Sequence, residues 1–122
     1  METLEKRINC HVFIKDGETF KGNICITGDC FAGDNVTIQG NVDAEGKGVF
    51  GNNLRAGNIK TGDDLIVGDK GNTTALYDIE SGGNIILGKN VNTGFITAKG
   101  DVTIDTGLNF YKINAGGQIY SK

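Results

Sequence analysis

The sequence predicts an all-β fold, a single-stranded β-helix (solenoid) of about six coils of 17–20 residues. Apolar residues return at steps of 18, 17, 20, 17 and 17 residues. This column, predicted to be the structural core, contains Ile24, Val42, Ile59, Ile79, Ile96 and Ile113. Small residues follow two positions later, and mostly glycine follows four positions later. A solenoid keeps three such registers in step because each coil stacks on the one before it.

The pattern inside each period predicts strands. Apolar residues lie two apart in segments such as 35–40, 83–88 and 100–105. This is the strand period, in which alternate side chains face inward and outward. Three short strands and three corners fit one coil.

The elements follow in order along the chain. Residues 1–9 are charged and out of register, so we expect a tail, a short helix or an end cap before a β-helix domain of residues 10–122. Residues 69–74 lengthen one coil to 20 residues, which indicates a surface bulge at a corner. The final residues still follow the repeat, with Ile119 continuing the column of Val102, so we expect an uncapped last coil.

Glycine, Asn or Asp returns every five to seven residues. We attribute the glycines to corners, because glycine adopts positive φ without a Cβ clash. The series includes Gly17, Gly22, Gly28, Gly33, Gly40, Gly46, Gly51, Gly57, Gly62 and Gly68.

Aromatic residues concentrate toward the two ends of the sequence. The end coils of a β-helix expose backbone donors and acceptors together with apolar core. We therefore predict self-association by stacking of the ends, which continues the sheets across the junction. The residues predicted to take part are Phe13, Phe20, Phe110, Tyr111, Ile119 and Tyr120. The alternative is that these aromatics only plug the ends of the core.

The segments 38–44 (IQGNVDA) and 57–62 (GNIKTG) resemble the repeats of bactofilins, the polymer-forming cytoskeletal proteins of bacteria. The resemblance extends from about Gly17 to the end of the sequence. It implies a right-handed β-helix that polymerises end to end without nucleotide and acts as a scaffold, often at membranes. Many bactofilins carry Pro-rich tails, whereas this sequence contains no proline. The Gly-rich repeats are also similar to those of the flagellar-assembly-protein-A-like family.

No motif for catalysis is present, and we predict neither an enzyme nor a cofactor. The one histidine, His11, lies before the regular repeat, and no motif places a carboxylate beside it. The sequence contains no P-loop, GxSxG or HExxH.

The cysteines and corner carboxylates predict no metal site. Cys10, Cys25 and Cys30 form no CxxC pair, and their spacing matches no zinc site. We expect Cys25 to face solvent and Cys30 to be buried, with reduced thiols in the cytoplasm. The corner residues Asp34, Asp63, Asp64 and Asp69 lack the calcium β-roll register, so we expect solvated corners.

The charge pattern limits the partners. Twelve basic and fifteen acidic residues give a net charge of −3 without a basic cluster, which disfavours nucleic acid. No run of 18 apolar residues predicts a transmembrane segment. We expect a cytoplasmic, self-associating scaffold whose other partners are scaffold or cell-envelope proteins, with any membrane association through them. The alternative is a non-enzymatic binding module, or a phage or surface appendage, that docks a protein or glycan through its wall or its long coil.

Overall fold

The structure of the chain, a computed structural model, describes residues 5–8, 11–68, 74–75 and 77–121, and for 5–8 and 74–75 the backbone alone. Within these residues the chain is all β, with eighteen short strands and no helix. In chain order the strands are β1 (Glu5–Ile8), β2 (Val12–Ile14), β3 (Thr19–Lys21), β4 (Asn23–Ile26), β5 (Cys30–Ala32), β6 (Thr37–Gln39), β7 (Val42–Ala44), β8 (Gly48–Phe50), β9 (Ile59–Thr61), β10 (Leu65–Val67), β11 (Thr74–Ala75), β12 (Ile79–Ser81), β13 (Ile85–Leu87), β14 (Val91–Asn92), β15 (Phe95–Ala98), β16 (Val102–Ile104), β17 (Lys112–Ala115) and β18 (Ile119–Ser121).

The chain visits three sheets in turn, which we name walls A, B and C. Wall A has the strand order β1-β4-β7-β9-β12-β15-β17, and wall B has the order β2-β5-β8-β10-β13-β16-β18. Wall C consists of β3 with β6 and β11 with β14, and the bridges Thr37–Arg55 and Asn92–Asn109 extend it. All of these pairings are parallel. The fold is therefore a β-solenoid of about six turns, as the sequence predicted.

The predicted core column runs along the inside of wall A. Its members pair in the predicted order Ile24, Val42, Ile59, Ile79, Ile96 and Ile113. The first five are at most 2% exposed, while Ile113, on the last strand of the wall, is partly exposed. The residues two positions later, which are small except for Ile26, pair in the same way and also face the core.

Wall A begins earlier than the charge pattern suggested. Strand β1 pairs with β4 at the same step of 18 residues, with Glu5 opposite Asn23 and Ile8 opposite Ile26. Residues 5–8 are therefore in register, and for them the expectation of a short helix was wrong. The register puts Lys6 in the column of Ile24. Because this position holds a charged residue, the apolar pattern of the sequence did not indicate a repeat here.

The additional residues of the long coil lie between its strand on wall B and the next strand on wall A. Leu65 pairs with Ile85 on wall B, and Ile59 pairs with Ile79 on wall A, so both steps are 20 residues rather than 17. The three additional residues therefore follow β10 and precede β12. Residues 69–73 of the predicted bulge lie outside the described residues.

Candidate functional site: the open end and the walls

One end of the solenoid combines two edge strands. Strand β17 is the last of wall A and β18 is the last of wall B. Among the described residues each pairs on one side only, β17 with β15 and β18 with β16. An edge strand presents a row of backbone N–H and C=O groups that another strand can pair with.

The same end exposes the apolar lumen. Ile119 pairs in register with Val102, which continues the inward column of Leu65 and Ile85 on wall B. Those three residues are 0% exposed, whereas Ile119 is 51% exposed. Ile119 occupies a core position, but no coil among the described residues covers it. Ile113 is partly exposed for the same reason.

The opposite end also bears half-buried apolar residues. Phe20 on β3 pairs with Ile38, which is 2% exposed, and Val12 on β2 pairs with Cys30, which is 0% exposed. Phe20 and Val12 are partly buried and pack against the core. The two end coils thus present apolar groups of the kind that stacking requires.

The six residues predicted to self-associate do not lie together. Only Ile119 and Phe20 belong to inward columns. Phe13 and Tyr120 lie on the outer face of wall B, near its two ends. Phe110 and Tyr111 are 44% and 77% exposed, and Tyr111 packs edge-to-face on Phe95 with ring centroids 5.0 Å apart. Whether these six residues associate with another molecule stays a prediction.

The outer face of wall B carries an uninterrupted column of uncharged side chains, which we name the wall B stripe. One residue from each strand contributes, in the register order Phe13, Phe31, Val49, Ile66, Ile86, Thr103 and Tyr120. The largest exposed fractions are 78% for Phe13, 49% for Tyr120 and 38% for both Ile66 and Ile86. The rings of Phe13 and Phe31 stack at 5.1 Å. Sequence reasoning missed this column, although each member directly follows an inward residue of wall B.

The outer faces of the other walls are polar. The corresponding column of wall A reads Cys25, Asp43, Lys60, Glu80, Thr97 and Asn114. Lys60 and Glu80 form an exposed ion pair at 3.7 Å. On wall C, Asn109 Nδ2 donates to Asn92 Oδ1 at 2.7 Å. The apolar outer column is therefore particular to wall B.

The corners are held by side chains that link one coil to the next. Before wall B, the backbone N–H of Asn84 donates to Asp64 Oδ1, that of Asp101 donates to Asn84 Oδ1, and that of Gln118 donates to Asp101 Oδ1, each at 2.8 Å. Similar bonds occur before wall A, where the N–H of Asn58 donates to Asn41 Oδ1 at 2.9 Å. A carboxylate or amide oxygen thus satisfies a corner N–H that no strand pairs.

These bonds change the interpretation of the acidic corners. Asp34 Oδ1 accepts the N–H of Asn52 at 2.8 Å, and Asp63 Oδ1 accepts the N–H of Asp64 at 2.9 Å. The corner carboxylates are thus structural acceptors, although we expected them only to be solvated. Asp69 lies outside the described residues.

The same bonds explain the glycines better than φ does. Of the predicted series only Gly17, Gly22 and Gly68 have positive φ, so the attribution to positive φ was wrong for most of them. A Cβ at Gly100 would overlap Asn84 Oδ1, and one at Gly117 would overlap Asp101 Oδ1. Glycine recurs at most of these corners because a side-chain or backbone oxygen of the preceding coil occupies the space of a Cβ.

The histidine and the cysteines have structural positions. His11 Nδ1 accepts the N–H of Asp29 at 2.9 Å, so His11 acts as a corner acceptor. Cys30 is buried as predicted, and Cys25 is half-buried on the outer face of wall A. Cys10 lies outside the described residues. Among the described side chains, no group of three His, Cys, Asp or Glu residues is placed to hold a metal ion.

We predict that Cys30 is chemically inert in the folded chain. Desolvation by burial raises the pKa of its thiol from 9.0 to about 12, and the thiolate is the reactive form. In a Cys10→Ser, Cys25→Ser background, alkylation at pH 8 should be slower in the folded than in the urea-unfolded chain by roughly 100-fold or more. Mass spectrometry measures both rates, and equal rates would contradict the prediction.

The raised pKa also sets the direction of a pH effect. The folded state favours the neutral thiol, so this stabilisation is complete below pH 9.0 and is lost as the pH rises toward about 12. Urea unfolding of the same background at several pH values should show that decline. A Cys30→Ala variant should show a smaller decline over the same pH range.

A shallow groove lies where wall C meets the end of the long coil. Its volume is ≈ 390 Å³, and its lining includes Tyr77, Arg55, Gln39 and Asn41. The Tyr77 side chain is 72% exposed. An exposed ring beside hydrogen-bonding groups can bind a ligand with a flat apolar face and polar edges.

The described residues form a parallel β-solenoid in which the coil of β17 and β18 exposes apolar core positions and wall B has an apolar outer face. Comparison with protein-family models, with curated proteins and with solved structures gives no match for this chain. The described residues include no helix of the length and hydropathy needed to cross a membrane.

Proposed function

We propose that this chain is a structural scaffold protein that self-associates by stacking its end coils, in the manner of bactofilins. The observation that carries the proposal is the exposure of Ile119, which is 51% in a column whose inner members are 0% exposed. Edge strands β17 and β18 lie at the same end. A second copy would cover the apolar surface and pair the open edges in one step.

Head-to-tail stacking fits the strand directions best. Placing β1 and β2 of one copy over β17 and β18 of the next keeps every pairing parallel, as within the coils. Such an interface joins two different surfaces, so it does not close on itself and produces a filament. Because apolar burial and backbone pairing suffice, assembly needs no nucleotide.

The resemblance to bactofilins supplies the cellular part of the proposal. A filament of this kind would act in the cytoplasm as a cytoskeletal scaffold, and other scaffold or cell-envelope proteins would bind along it. Association with a membrane would then depend on those partners. The protein has no catalytic role in this proposal.

The experiment compares Ile119→Lys with Asn114→Lys. Both residues lie on the last coil and are exposed, but Ile119 belongs to the inward column and Asn114 to the outer face of wall A. We expect the unmodified chain and Asn114→Lys to form filaments without nucleotide in negative-stain electron microscopy. Ile119→Lys should form no filaments and should sediment as a small species, because stacking would bury the lysine charge.

Thermal unfolding provides the control for folding, since a substitution at an exposed residue should leave the transition nearly unchanged. Filaments of Ile119→Lys, or an unmodified chain that remains monomeric at all concentrations, would contradict end stacking.

A second function is favoured by the groove at Tyr77. In that case the solenoid is a binding module that docks a protein or glycan beside the long coil. Deleting residues 70–72, which leaves strand β11 in place, should abolish ligand binding if the long coil contributes to the binding site, and should leave filaments intact if the chain is a scaffold. The binding module would be favoured if Ile119→Lys had no effect on ligand binding and the deletion abolished ligand binding.

A further inference from the structure

We propose that the wall B stripe is a lateral self-association surface, which binds the same stripe of a second copy of this chain. The stripe is a different surface from the open end. In part the inference rests on the proposed function, because end stacking would repeat the stripe along a filament.

The sequence of wall B is that of a sheet covered on both faces. Strands β10 (Leu65-Ile66-Val67) and β13 (Ile85-Ile86-Leu87) are apolar throughout. Parallel sheets with continuous apolar runs are normally covered on both faces. The lumen covers one face of wall B, while 38% of both Ile66 and Ile86 remains exposed on the other.

Wall A shows what an uncovered outer face looks like in this same molecule. Strands β9 (Ile59-Lys60-Thr61) and β12 (Ile79-Glu80-Ser81) alternate between buried and exposed residues, and each outward position is charged. Walls A and B have equal numbers of strands and the same parallel pairing. The difference between them therefore reflects what lies against each outer face.

The charge distribution favours a second copy as the occupant. The chain has a net charge of −3, so two copies repel one another in general. The stripe contains no Asp, Glu, Lys, Arg or His residue. Two stripes can therefore meet without burying like charges, whereas wall A would bring Asp43 and Glu80 into the contact.

The shape of the stripe also suits a copy of itself. Each residue of the stripe, which we call a rung, lies one strand spacing (about 4.8 Å) from the next. A second copy has the same spacing along its whole length. Two positions after the rungs at Phe31, Val49, Ile66 and Ile86 the residue is glycine. At these four positions no side chain beyond the backbone stands beside the stripe, so another wall can approach its central part closely.

The area of the stripe determines how tightly two copies should associate through it. Seven rungs span about 29 Å, and a stripe one to two side chains wide offers on the order of 300–500 Å². A stable interface needs about 800 Å² from each partner. A pair of single copies should therefore associate weakly, and filaments should pair tightly because many stripes act together.

The experiment uses Ile66→Glu with Ile86→Glu, which places two charges on neighbouring rungs. The matched control is Thr97→Glu with Asn114→Glu, which are neighbouring positions of the outer column of wall A. In electron microscopy we expect paired or bundled filaments for the unmodified chain and the control. The stripe variant should form single filaments.

A second background separates the stripe from end stacking. In Ile119→Lys chains, sedimentation at increasing concentration should reveal a weak dimer. The two stripe substitutions should raise its dissociation constant by roughly tenfold or more, and the wall A control should not. This measurement holds even if the unmodified chain forms no filaments, so failure of the proposed function and failure of the stripe remain distinguishable.

Mixing opposite charges identifies the occupant. If two stripes meet, the Glu variant and an Ile66→Lys, Ile86→Lys variant should each stay single, and an equimolar mixture should pair again. Single filaments of the unmodified chain with no dimer in the Ile119→Lys background would overturn the inference. So would a mixture that fails to pair, because the stripe would then face a different partner.

Discussion

Truncating Ile59 to alanine should lower the free energy of unfolding by about 2–5 kcal/mol. Ile59 is 1% exposed and lies in the middle of the wall A column, between Val42 and Ile79. Because coils lie on both sides of it, the lost side chain leaves a cavity that the stack cannot close without shifting a whole coil. Urea unfolding followed by circular dichroism measures the loss.

Two variants provide the controls for Ile59→Ala. Ile113 belongs to the same column but is partly exposed on the last coil, so Ile113→Ala should cost clearly less. Lys60 is the adjacent outward residue, and Lys60→Ala should change stability by about 0.5 kcal/mol or less. Equal losses for Ile59→Ala and Ile113→Ala would show that the column does not carry the stability in the way the burial indicates.

Replacing Gly40 by alanine should destabilise the chain by about 1–3 kcal/mol or more. A Cβ at this position would overlap the carbonyl oxygen of Gly22 and lie 2.5 Å from its carbonyl carbon. Both atoms belong to the backbone of the preceding coil, so no side-chain rotation can relieve the contact. The two coils would have to separate at that corner.

Gly17→Ala separates the two explanations of the glycines. Gly17 has a φ of 75°, and nothing lies within 4 Å of an added Cβ. Its substitution carries only the cost of a left-handed backbone, about 1–2 kcal/mol. If positive φ were the main reason for the glycines, Gly17→Ala would be the more damaging change. The close approach of coils predicts instead that Gly40→Ala unfolds at the lower urea concentration.

The inward columns could be predicted because the lumen accepts only apolar or small residues at a fixed step. Ile24 through Ile96 follow that rule without exception, and Ile119 could be placed in the column of Val102 on the same basis. Strand β1 could not be found in this way, since its register puts Lys6 in a core column at the end of the stack. An inward position on an end coil can therefore hold a charged residue, so the apolar pattern predicts the end coils less well.

The surfaces were harder to predict because the sequence order of aromatic residues is not their position on a coil. Phe13 and Tyr120 are near the two ends of the chain, which suggested an end surface. The register instead places both on the outer face of wall B. The corner bonds were missed for a related reason: Asp64 and Asn84 are 20 residues apart, and only the stacked coils bring the carboxylate to the N–H.

The nearly constant step between coils has a consequence for how the chain folds. The register pairs of walls A and B connect residues 17 to 20 positions apart, from Glu5–Asn23 to Ile104–Ser121. The relative contact order is then about 0.15, in the range of domains that fold at intermediate speed although this one is all β. Any two adjacent coils can form the first contact, and the rest can add on either side. Under a stretching force the same step would release the chain one coil at a time.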